Sequence, residues 1–127
     1  MMSSTKTAIV VLSDPQGGEE ALGRVFNALA AAYDFKQKRQ DVQVLFQGTG
    51  TRWAALLTKP DHPVHALYKA VEDTIAGVST ACSVVFGARE DAERNGFPLV
   101  TGNPVPNTPG LPSLESYAAQ GYTILTF

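Results

Sequence analysis

Cys82 is the only thiol in the 127-residue chain. It follows the apolar run Val78-Ser79-Thr80-Ala81 and precedes a stretch, from about Ser83, that is patterned as a helix. A sulfur at a helix start faces unpaired backbone N–H groups and the positive end of the helix dipole. Both favour the thiolate, the form that attacks, carries sulfur or binds metal. In this placement the N–H groups of Ser83 and Val84 stabilise the charge. The plainer alternative stays open: a lone cysteine in a strand-to-helix turn is a small apolar packing residue.

The second candidate is Gly48-Thr49-Gly50-Thr51-Arg52. A glycine turn entering a helix can cradle an anion on its N–H groups. Gly48, Gly50, Thr51 and Arg52, with Ser83, are therefore the expected ligand contacts. The run lacks the third glycine of a dinucleotide fingerprint and the Gly-Lys of a P-loop, so it reads first as a tight turn. Gly17-Gly18 reads the same way. His62 and His65 lie one turn apart, but prolines flank His62 and no acidic or cysteine ligand adjoins them. They read as surface histidines, and no metal is expected. Asp91 and Glu93 read as a solvated helix face. No Ser/His/Asp order and no carboxylate pair stands out, and no cofactor is implied. Trp53, with Leu56 and Leu57, belongs either to the core or to a subunit contact, and the contact is preferred because aromatic anchors dominate interfaces and the helix is short.

These residues need elements to hold them. Residues 7–13 form an aliphatic, β-branched run, as in a strand buried on both faces. From Glu19 the period changes, and Leu22, Val25, Phe26, Leu29 and Tyr33 mark an amphipathic helix to about Lys38. Residues 42–47 are the second strand, and a short helix carrying Trp53 follows. Pro63 opens the next helix, with Val64, Leu67, Tyr68, Val71 and Ile75 as its stripe and Gly77 as its end. The third strand runs over 78–81, one helix over about 83–94, and a short strand over 97–100. A loop dense in proline and glycine covers 101–110. Ser113 caps a last helix through Leu114 and Tyr117, and residues 122–127 close the chain as a strand. Strands alternating with helices predict a single α/β domain over 1–127, a three-layer α/β/α sandwich around a five-stranded, mainly parallel sheet. Strand order is not readable.

Net charge is −2, with no basic block, so nucleic acid is not expected as a partner. One cysteine excludes an internal disulfide and fits a reducing compartment. The apolar run at 8–12 is too short for a signal segment, and nothing approaches a membrane span. The expected location is cytoplasmic.

Ligands of open parallel sheets bind beyond the carboxyl ends of the strands. Residues 14–18, 48–52, Cys82 with Ser83, and 101–110 should therefore gather at one edge. The opening strand with its Gly17-Gly18 turn and long helix, the second strand into Gly48 and Gly50, the run Gly77-Val78-Ser79-Thr80-Ala81-Cys82 and the closing strand together resemble the DsrE/DsrF-like family. The resemblance implies a five-stranded α/β/α domain assembling into homo-oligomers, trimers or hexamers. It also implies a persulfide-accepting cysteine at Cys82, served by sulfur donor and acceptor proteins. Relay members follow the cysteine with a short helix and an early Arg-Gly, whereas here Gly96 comes late, after Arg94-Asn95. Two functions are carried forward: a sulfur carrier using Cys82, and a non-enzymatic oligomer binding a small anion or nucleotide.

Overall fold

A computed structural model describes residues 4–127; Met1 to Ser3 of the expected domain lie outside the described residues. The strands are β1 (Lys6–Val11), β2 (Asp41–Phe46), β3 (Ile75–Ser79), β4 (Leu99–Val100) and β5 (Thr123–Thr126). They form one sheet in the order β4-β3-β2-β1-β5, with every neighbouring pair parallel. The helices are α1 (Gly18–Gln37), α2 (His65–Val71), α3 (Thr80–Val85), α4 (Arg89–Arg94) and α5 (Leu114–Ala119), and Gly48–Ala55 is a 3-10 helix.

Strand order sets the layers. From β1 to β4 the chain steps one way, so right-handed crossovers put the intervening helices on one face. The return to β5 leaves α5 on the other. Side chains alternate along each strand, which divides the apolar residues accordingly. Ile9, Val11, Val44, Phe46 and Val78 join Val25 and Leu29 of α1 in the main core. Ala8, Val10 and Leu45 point the opposite way and are also buried. There a hydrogen-bond chain clamps α5 to the sheet. Tyr117 Oη donates to Gln43 Oε1 (2.7 Å), Gln43 Nε2 to Tyr122 Oη (3.0 Å), and Tyr122 Oη to Asp41 (2.7 Å).

Three expectations are corrected. Phe26 and Tyr33 of α1 are 50% and 42% exposed, and Ala21, Ala28 and Ala32 fill the buried stripe instead. Small side chains let α1 lie close to the sheet and α2 together. The single helix expected over 83–94 is two, because Gly87 takes φ +70°, a left-handed conformation that ends α3. Trp53 is not a subunit contact: it is 1% exposed, in the core, and its Nε1–H donates to the Ser13 carbonyl at 2.9 Å.

His62 adds a pH dependence. Its Nδ1 accepts the Val64 N–H at 3.1 Å, and its ring meets Trp53 edge-on. Burial holds its imidazole below the ordinary value of 6.5; Asp61 opposes this, and His65 and Lys59 add to it. The unfolded chain therefore binds more protons than the folded one beneath that value. This contribution is complete above pH 6.5 and is lost as pH falls through it toward the lower folded-state value. We expect the urea midpoint to fall between about pH 7.5 and about pH 5.5. His62→Asn, whose Oδ1 can accept the same N–H without titrating, should flatten that fall. Equal slopes in both proteins would exclude the assignment.

Candidate functional site

The carboxyl edge of the sheet gathers the candidate residues, but with different duties from those expected. Cys82 is the third residue of α3 and is half-buried. Ser79 caps the helix, its Oγ accepting the Cys82 N–H at 3.4 Å, and the Ala81 N–H donates to the Gly110 carbonyl at 2.8 Å. Because α3 begins at Thr80, the N–H of Val84 lies inside it and turns back to the Thr80 carbonyl one turn earlier. That withdraws the Val84 N–H and corrects the expectation that it would hold the sulfur's charge. Ser83 is fully buried and its hydroxyl donates to the Thr80 carbonyl at 2.7 Å. That removes it from the ligand set.

The glycine turn is equally engaged. Gly48 opens the 3-10 helix at φ +57°. Thr51 is buried, its Oγ1 donating to the Gly48 carbonyl at 2.8 Å. Gly50 lies so close to β1 that a Cβ there would collide with the Val11 carbonyl oxygen. Arg52 pairs with Asp14, Nη1 to Oδ2 at 3.0 Å, while its Nε donates to the Phe86 carbonyl at 3.2 Å. An anion at this turn would compete with Asp14 for the only cation of the segment. The turn thus reads as packing joined to an ion pair.

The Arg52–Phe86 bond ties this turn to α3. At spacings of three and four, Cys82, Val85 and Phe86 share one helical face. Val85 on that face is 73% exposed, so apolar surface adjoins the thiol. Two clefts open nearby. One, of about 420 Å³, lies between the ends of β1 and β5, where the chain reverses direction across the sheet. Its charged walls are internally paired, Glu20 with Arg24 at 2.7 Å and Asp14 with Arg52. The other, of about 380 Å³, is lined by Pro15, Arg52, Leu56 and Phe86. Cys82 lines neither cleft.

His62 and His65 engage their Nδ1 atoms locally, His65 at 2.7 Å from the Leu57 carbonyl oxygen. No group of three or more His, Cys, Asp or Glu placed to hold a metal occurs among the described residues. Two features escaped the sequence reading. Asp14 partners Arg52, a pairing suggested only by opposite charges after adjacent strands. Gln47, just past β2, is buried with an Oε1 that no donor meets. No pattern in the sequence marks it.

A family model described as the DsrE/DsrF-like family matches residues 5–127. An uncharacterised protein of Methanocaldococcus jannaschii is 25% identical over 120 residues, covering 94% of this chain and 93% of that protein. Among solved structures, a conserved protein of unknown function from Bacteroides thetaiotaomicron superposes with a TM-score of 0.59 at 14% identity, covering 94% of each chain. That likeness is one of fold. Among the described residues, no helix is long and apolar enough to cross a membrane.

Proposed function

Since the chain belongs to the DsrE/DsrF-like family, a family associated with sulfur relay, we propose that it is a sulfur carrier acting through Cys82. The observation that carries this is the thiol's position: half-buried, in the first turn of α3, at the carboxyl edge of the sheet. The Cys82 thiolate attacks the outer sulfur of a donor persulfide. The donor's S–S bond breaks, the donor leaves as a thiolate with the bonding pair, and a new S–S bond forms on Cys82. Handing the outer sulfur to an acceptor thiolate reverses these roles, so no external oxidant or reductant is needed. With no second cysteine the chain cannot close an internal disulfide, and release requires a partner. Exposed Val85 gives such a partner, or another copy in a homo-oligomer, an apolar surface beside the thiol.

The test is intact-mass analysis of the full chain after incubation with glutathione persulfide. We expect a gain of one sulfur atom, reversed by reductant, and no gain on Cys82→Ser. Absence of the gain, or its survival in Cys82→Ser, would overturn the proposal.

A further inference from the structure

A third cleft, of about 490 Å³, lies on the α5 face of the sheet and plays no part in the sulfur proposal. Gln47 lines it. Its backbone is fixed on both sides, the N–H donating to the Val11 carbonyl (3.0 Å) and the carbonyl accepting the Gly50 N–H (2.9 Å). Its side chain shares the face of Gln43 and Leu45 by strand alternation. Gln47 is only 8% exposed, and its Oε1 is buried without a donor. Buried carboxamides are nearly always hydrogen-bonded, so one left unpaired beside a cleft calls for a partner.

The walls are built before any ligand arrives. The two arms of the loop after β4 are joined by a bridge, Asn103 N–H to the Leu111 carbonyl (2.7 Å) and Leu111 N–H to the Asn103 carbonyl (3.0 Å). Pro104, Leu111, Pro112 and Leu114 supply apolar surface, and Asn103 adds a second carboxamide. Ser113 Oγ is already occupied, accepting the Ser116 N–H at 3.2 Å. No lysine or arginine lines the cleft, and its one ionisable wall residue, Glu115, is acidic. Anions are therefore disfavoured. A carboxamide carries both an N–H donor and a carbonyl acceptor, and a half-turn of its terminal bond exchanges them. Its complement is an edge with both functions side by side.

We propose that this cleft binds a small uncharged molecule presenting a carboxamide-type edge, a donor N–H beside a carbonyl or ring-nitrogen acceptor, on a flat apolar body. Gln47 reads the edge, the proline and leucine walls cover the body, and Glu115 turns away acids of the same shape.

The full chain, labelled with nitrogen-15, is titrated with benzamide, benzoate and acetophenone. Benzamide should shift the Gln47 side-chain NH2 and the backbone amides of Gly102 and Leu111. Benzoate, and acetophenone with its acceptor alone, should bind about tenfold more weakly. Gln47→Met, which keeps the length and drops the amide, should abolish the preference. Glu115→Gln should strengthen benzoate several-fold and leave benzamide unchanged, which tests the site even if Gln47→Met does not fold. Three results would each overturn the proposal: equal binding of the three probes, unmoved Gln47 resonances with benzamide, or benzoate indifferent to Glu115→Gln.

Discussion

Trp53→Ala should destabilise the protein by about 3–5 kcal/mol and lower Tm by roughly 10–20 °C, the largest loss expected from any single truncation here. Trp53 is 1% exposed and belongs to the main core. Truncation empties the largest side-chain volume there, and the two ends of the 3-10 helix cannot close in to refill it. One is pinned to β1 and the other runs through Leu57 into the same core. The truncation also strips the Ser13 carbonyl of its indole donor, next to a Ser13 Oγ that already has no partner. Trp53→Phe separates the two effects. It restores most of the packing but not the bond, so a loss of about 1–3 kcal/mol is expected. Thermal and urea unfolding followed by circular dichroism measure both. If Trp53→Ala left unfolding unchanged and instead dissociated an oligomer, the residue would be an interface anchor after all.

Why the sequence leans towards a surface contact for this residue, and not to the core, is instructive. Trp53 sits in a short segment with a 3-10 twist, where the apolar residues do not fall at the spacings of an α-helical stripe. Burial there comes from the segment lying across the carboxyl ends of β1 and β2, and only the topology shows that. The strands themselves were legible because a parallel sheet covered on both faces demands unbroken aliphatic runs, as in β1 and β2. Their order was not, since such runs look alike whether central or at an edge. In α1 the opposite error arose. Large apolar residues, Phe26 and Tyr33, fit the spacing of a buried stripe, whereas close packing selects the alanines beside Val25 and Leu29.

The candidate site was legible in outline only. The convergence of residues 14–18, 48–52 and Cys82 at one edge follows from alternating strands and helices, and the structure contains it. Duties within that edge depend on where each helix begins to within one turn. Shifting α3 to start at Thr80 moves Cys82 from ahead of the helix to inside it and withdraws the Val84 N–H from the sulfur. Opposite charges at positions 14 and 52 carry no label saying that they pair. Gln47 looks like any polar residue closing a strand, and only its burial without a partner singles it out.

Gly50→Ala and Gly23→Ala should change stability in opposite directions. Three successive carbonyls at the end of β1 each accept a donor from the segment after β2. Val11 takes the Gln47 N–H (3.0 Å), Leu12 the Thr49 hydroxyl (3.2 Å), and Ser13 the Trp53 indole (2.9 Å). Gly50 lies inside this zip, and a methyl group there meets the oxygen and carbon of Val11 and the Cα of Leu12, all backbone. No rotamer change relieves such a contact. Relief requires parting the two segments and stretching bonds that hold Trp53 in the core and Arg52 on Asp14. We expect a loss of about 2–3 kcal/mol, because overpacking exceeds the gain of under 1 kcal/mol from stiffening the unfolded chain. Gly23, within α1, has nothing within 4 Å of an added Cβ, so there the gain stands alone and Ala should stabilise by about 0.5–1 kcal/mol. Urea midpoints of the two variants against the parent chain measure the contrast. Two midpoints shifted the same way would mean that the 3-10 helix does not press on β1, and with it would go the rigid seat of Arg52 beside the cysteine's helix.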